Sequence, residues 1–129
     1  VGDYATTTDW KSRLEQILHT HATHSPIGAA RNFQIIEGDV RQTLPQWLEE
    51  NPEALVSHAH FDMDVYEPTR DVLKLILPRM PKGAVLVFDE LNHPQFPGET
   101  KAVQEVLGIH GLALRKSKFH PYAAYCMIE

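Results

Sequence analysis

The residues best placed to do chemistry form two acidic clusters, each following an apolar run. One is Asp62-Met63-Asp64-Val65-Tyr66-Glu67-Pro68-Thr69; the other is Asp89-Glu90-Leu91-Asn92-His93, directly after Val85-Leu86-Val87-Phe88. An apolar run that stops abruptly at carboxylates suits a buried strand delivering acids to a ligand, because the crevice of an open α/β sheet lies outside the C-terminal strand ends. A single helical run separates the clusters, which places them on neighbouring parallel strands joined by one crossover. Acids so placed could share one divalent cation. Mg²⁺ suits them, since it takes hard oxygen ligands and keeps several waters. Asp89 and Glu90 supply one tip. On the other, Asp62 and Asp64 are alternatives, because two-residue spacing keeps both on one strand face.

Three further residues stand close to these tips or to a third strand end. His93, just beyond the second cluster, could serve as a general base or touch an acceptor; an exposed loop histidine is the plainer alternative. Tyr66 could line a cofactor or acceptor pocket, or simply pack beside a helix start. Asp39 follows Gly38, which permits a tight turn, and could equally cap the next helix.

The elements that position these groups follow from periodicity and breakers. Thr8 and Asp9 offer N-cap oxygens to a helix carrying Trp10, Leu14, Ile17, Leu18 and His21, which ends before Ser25-Pro26. Asn32 to Ile36 reads as a short strand stopping at Glu37-Gly38-Asp39. A second helix is expected over about Leu44 to Glu50, closed by Asn51-Pro52. Leu55 to Met63 reads as a strand, interrupted in apolar character by His58 and His60. Pro68 suits a first helical position, and Val72, Leu73, Leu75 and Ile76 make an apolar helix face as far as Pro78. Lys82-Gly83 turns into Ala84 to Phe88, a run expected of a strand covered on both faces. A helix opens at Gly98-Glu99-Thr100 and is stopped by Gly108. Leu112 to Phe119 and Tyr122 to Ile128 read as two antiparallel strands around His120-Pro121. Strands alternating with helices predict a mostly parallel sheet, with an antiparallel element at the C-terminal end.

At 129 residues, 43% hydrophobic and 22% charged, the chain has the composition of one globular domain, over residues 1–129. A net charge of −5 argues against nucleic-acid and anionic-membrane partners. The apolar runs are too short to span a bilayer and no basic leader is evident, so a cytoplasmic location is expected. The single cysteine, Cys126, reads as a small buried hydrophobe. Eight histidines invite a metal reading, but His19 and His21 do not face each other on a helix and no His-Glu-x-x-His pattern occurs. Trp10 and Trp47 are expected to pack on apolar helix faces.

The ordered set Ile36-Glu37-Gly38-Asp39, Asp62 to Thr69, Phe88-Asp89-Glu90-Leu91-Asn92-His93 and Pro97-Gly98-Glu99-Thr100 resembles the C-terminal two-thirds of a class I S-adenosylmethionine-dependent methyltransferase. The closer resemblance is to the macrocin-type sugar O-methyltransferases, including deoxyhexose 3-O-methyltransferases. It implies a Rossmann-like α/β sheet, mostly parallel with an antiparallel C-terminal strand pair. The glycine-rich turn and ribose-holding acid of that family, expected after its first two strands, have no counterpart, so the chain reads as the C-terminal part of a methyltransferase domain lacking those strands. The resemblance further implies Mg²⁺ held by Asp62 (in preference to Asp64), Asp89 and Glu90, with Glu90 departing from the paired aspartates of related enzymes. It implies catalytic roles for Asp62 and His93, cofactor contacts from Asp39 and Tyr66, and S-adenosylmethionine as methyl donor. The partner is then a small sugar-like acceptor, and an uncovered strand edge points to a homo-oligomer.

Two other functions compete. Asp62-Met63-Asp64 is an Asp-x-Asp triplet that could bind a metal-diphosphate in a nucleotide-sugar glycosyltransferase. The missing glycine-rich turn equally suits a non-catalytic remnant that binds or dimerises. Tight binding of S-adenosylmethionine would exclude the remnant.

Overall fold

The computed structural model describes residues 9–26 and 33–129. The packing divides the chain into two compact units, Val1–Glu37 and Gly38–Glu129.

In the first unit, α1 (Trp10–Thr23) follows Asp9, which occupies the N-cap position without a side-chain cap bond. No residue of α1 is buried, and Trp10, Leu14 and Ile17 are all exposed. The expectation of a packed Trp10 therefore fails. Phe33 to Glu37 has no regular structure, which corrects the strand expected there; Asn32 lies outside the described residues, as does Thr8. A strand needs a partner for its main-chain groups, and none of the described strands pairs with this segment.

In the second unit, Asp39 caps α2 (Val40–Glu50), its carboxylate accepting from the Arg41 N–H at 2.9 Å. The helix starts four residues earlier than Leu44 because that cap is present. Pro45 is tolerated inside it. The Arg79 guanidinium donates to the Pro52 carbonyl at 2.9 Å and to that of Leu48 at 3.4 Å, gathering the carbonyls at the end of α2.

The remaining elements are β1 (His58–Phe61), α3 (Tyr66–Ile76), a 3₁₀ turn (Leu77–Arg79), β2 (Val85–Phe88), α4 (Gly98–Val106), β3 (Arg115–Lys116) and β4 (Ala124–Met127). They make a four-stranded mixed sheet of order β1-β2-β4-β3. The β1–β2 pair is parallel, and the β2–β4 and β3–β4 pairs are antiparallel. The strands are shorter than the apolar runs suggest: β1 ends at Phe61 rather than Met63, and β3 holds two residues. Pro68 falls at the third position of α3, where its missing N–H is still one of the first-turn orphans.

One sheet face carries the core. Register rows Phe61–Phe88–Ala124 and Ala59–Leu86–Cys126 meet Val72, Leu73 and Ile76 of α3 and Ala102 and Val103 of α4. The Phe61 and Phe88 rings stack at 5.1 Å, a pair contributing about 1 kcal/mol beyond area burial. Cys126 is buried as expected, and burial pushes its thiol pKa up. The opposite rows, His60–Val87–Tyr125 and His58–Val85–Met127, are half-buried or exposed. β2 is thus fully covered on one face only, whereas its unbroken apolar sequence predicts cover on both.

Candidate active site

Both acidic clusters lie where the parallel strands end. Phe61 pairs in register with Phe88, and the Asp89 N–H donates to the Phe61 carbonyl at 3.1 Å. The ladder therefore runs out at the step leading to Asp62 on one strand and Asp89 on the other, on backbones about 4.8 Å apart. Asp62 is exposed and Asp89 half-buried, with His60 Nε2 4.0 Å from Asp89 Oδ1.

The side chains do not converge as a triad. Among the described residues no three His, Cys, Asp or Glu side chains group to hold a metal. The expected set of Asp62, Asp89 and Glu90 is not assembled, because Glu90 is directed inward. Its Oε2 is buried without a hydrogen-bond partner and lies 3.6 Å from His93 Nε2. Asp64 sits beyond the strand end at φ 60°, so it does not share a strand face with Asp62.

His93 is held firmly. Its ring lies 5.0 Å from Phe96 and 4.2 Å from Tyr122, and its Nδ1 accepts from the Gln95 N–H at 3.2 Å. With Nδ1 accepting, neutral imidazole carries its proton on Nε2, facing Glu90. His93 in this state has no free lone pair, and the open acceptor of the pair is Glu90 Oε2.

The expected cofactor contacts are otherwise engaged. Asp39 caps α2 and pairs with Arg41 at 2.8 Å, whose guanidinium holds its carboxyl below the usual range. Of its two possible roles, the structure shows the capping one. The Tyr66 hydroxyl donates to Glu105, and Arg70 lies 5.3 Å over its ring.

Glu99 is the residue that sequence reasoning missed. It is fully buried, with Oε2 accepting from the Glu90 N–H at 3.1 Å and Oε1 from the Met63 N–H at 3.5 Å. Burial pushes its pKa up, opposed by those two N–H groups. An acid in a helix's first turn ordinarily serves the dipole from the surface, so nothing in the spacing marks it as buried.

Beside Asp89 a groove of about 490 Å³ runs along the open sheet face, lined among others by His60, Val87, Lys116, Lys118, Phe119 and Tyr125. Phe119 is 97% exposed.

The family model described as "Methyltransferase domain" matches residues 2–91. Fourteen solved chains match, among them apo CalS11, a TDP-rhamnose 3′-O-methyltransferase of calicheamicin biosynthesis. That structure is 38% identical with a TM-score of 0.86, over 97% of this chain and 55% of its own. A second CalS11 structure, described as a calicheamicin methyltransferase, is 38% identical with a TM-score of 0.89, over 98% of this chain and 49% of its own. The chain thus spans about half the length of these relatives. No curated protein sequence matches it. These likenesses displace the glycosyltransferase reading of Asp62-Met63-Asp64. No described helix is long and apolar enough to cross a membrane.

Proposed function

The chain belongs to the methyltransferase-domain family, and from that premise we propose that it carries the acceptor side of an S-adenosylmethionine-dependent sugar O-methyltransferase. The observation that supports this most is Glu90 Oε2, a buried carboxylate oxygen without a partner at a strand tip. An orphaned buried acceptor is costly, and a sugar hydroxyl that reached it would satisfy it. Glu90 then takes the hydroxyl proton as the oxygen becomes nucleophilic, while His93 Nε2–H orients the carboxylate from 3.6 Å. His93 is thereby moved from general base to partner of the base.

The groove beside Asp89, which Glu90 does not line, suits the nucleotide-linked part of the acceptor. Its volume of about 490 Å³ falls in the range of small-molecule pockets. Its Lys116 and Lys118 could neutralise a phosphate-linked acceptor such as the TDP-rhamnose of CalS11. S-adenosylmethionine, when bound, supplies an activated methyl group. Asp39 and Tyr66 have their polar groups engaged, with Arg41 and Glu105 respectively, and no proton or charge is routed through them.

The three-ligand metal set does not fit this arrangement. A hard cation would be held by Asp62 and Asp89 with water, since Mg²⁺ commonly uses one or two carboxylates, and would supply charge for two adjacent acceptor oxygens. No part of the proton transfer described above depends on it.

The decisive experiment follows label from S-[methyl-³H]adenosylmethionine into nucleotide-linked deoxysugars, with and without a chelator. Transfer by the wild type and its loss in Glu90→Gln supports the reading. Weak or absent transfer by residues 1–129 alone is expected, since no glycine-rich cofactor turn lies among them; absence of transfer in the intact parent protein overturns the reading and leaves a non-catalytic binding module.

A further inference from the structure

We propose that the first turn of α4 is a clamp fixing the spacing of the two acid-bearing strand tips, with Glu99 as its positioning residue. The proposal rests on the reading of Glu90 as proton acceptor. Three consecutive residues each grip a tip. A Cβ on Gly98 would lie 2.3 Å from the Asp64 carbonyl oxygen and 2.6 Å from the Tyr66 nitrogen, so the helix start presses directly on the backbone after β1. Glu99 holds one N–H from each loop, that of Met63 at 3.5 Å and that of Glu90 at 3.1 Å. Thr100 Oγ1 accepts from the Asn92 N–H at 2.7 Å.

The gripped loops are the ones that carry backbone strain. The non-glycine residues with positive φ are Asp64 at 60° and Asn92 at 62° among the described residues, one in each loop. Such conformations persist only where surrounding structure holds them. A fully buried carboxylate is likewise retained only when hydrogen-bonded, and here both its partners are main-chain groups of the tips. The Glu90 N–H that Glu99 holds belongs to the residue whose side chain takes the proton. The Met63 N–H belongs to the loop that carries Asp62. Glu99 therefore sets the register of the proton-accepting Glu90 against the loop that carries Asp62, and misplacing a reacting group by about 1 Å costs roughly 10²-fold in rate.

Native-state hydrogen exchange and single-turnover kinetics test this together. In the wild type, the Met63 and Glu90 amides should exchange through one shared opening, with equal protection. Glu99→Gln keeps the volume but turns an N–H donor toward one loop. It should lower protection at both amides and lower kcat about 10²-fold, with acceptor KM little changed. A merely structural Glu99 would lower the melting temperature and leave kcat per folded molecule intact. If Glu99→Gln does not fold, the wild-type exchange pattern and Thr100→Val decide, the latter being expected to loosen the Asn92 amide and reduce kcat. Independent exchange of the two amides in the wild type, or wild-type kcat in a folded Glu99→Gln, overturns the clamp. An intact parent protein without methyl transfer sinks the proposed function instead, and the exchange arm still judges the clamp.

Discussion

Glu90 and His93 divide their tasks through the hydrogen bond that His93 accepts from the backbone. The Gln95 N–H occupies His93 Nδ1, which leaves Nε2–H directed at a carboxylate oxygen otherwise without a partner. Glu90→Gln should therefore lower kcat by about 10²–10⁴-fold, the usual contribution of a positioned base. It should leave the melting temperature unchanged or slightly higher, because the replaced oxygen satisfied no donor in the fold; paired kinetics and calorimetry check this. Glu99 carries the pH dependence at this scale. Desolvation raises its folded pKa above the usual 4.5. Its stabilising contribution is thus fully present below 4.5 and is lost as pH rises through the raised value. Urea midpoints of wild type and Glu99→Gln, measured from pH 4 to 8, should differ most in the wild type's favour at the acid end. Asp62, Asp89, Glu90 and His93 stand out in the sequence because abrupt acidic tips follow apolar runs. The inward turn of Glu90 does not, since a side chain's direction at a strand end depends on tertiary neighbours, here His93 at 3.6 Å, that spacing does not encode.

Helices read well from the sequence where their caps and apolar faces agree, and strands poorly where a neighbour decides their length. α3 and α4 lie where Val72, Leu73 and Ile76, and then Ala102 and Val103, repeat at helical spacing. α2 begins at Val40 and not at Leu44 because the Asp39 carboxylate caps it. The cap makes a prediction with a definite sign. Arg41 holds the Asp39 pKa below its usual 3.8, so its contribution is present above that value and lost as pH falls through the lowered one. Asp39→Ala should lower the melting temperature at pH 7, an effect that shrinks as pH falls below 3.8. β1 and β3 fell short of their apolar runs because pairing, and not hydropathy, ends a ladder. The start of α4 makes the sharpest prediction about an element. Gly98→Ala places a methyl group 2.3 Å from a backbone oxygen that cannot move aside. The variant should lose about 1–3 kcal/mol or more in denaturant titrations, a larger loss than helix propensity, which favours alanine, would allow.

At the scale of the molecule, the described sheet of Gly38–Glu129 has β1 at one edge. β1 is the outer strand of the order β1-β2-β4-β3, and it lies beside the strand that carries Asp89 and Glu90. In the parallel ladder the Ser57 and Phe61 carbonyls accept from Val85 and Asp89. The main-chain groups of His58 and His60 therefore face the outer edge, as alternate residues of a parallel strand must. An open edge is a template for another strand, and His58 and His60 are exposed along it. We expect the protein to self-associate through β1. His60→Pro removes only an outward-facing N–H and costs no bond to β2. It should shift sedimentation toward the monomer at micromolar concentration while the β1–β2 amides keep their exchange protection. A wild type that sediments as a monomer across the same range, or a His60→Pro variant that associates as the wild type does, would remove the edge from the account. Neither result would touch the reading of Glu90, because the groups that meet the acceptor lie beyond the strand ends and the association edge lies along the strand.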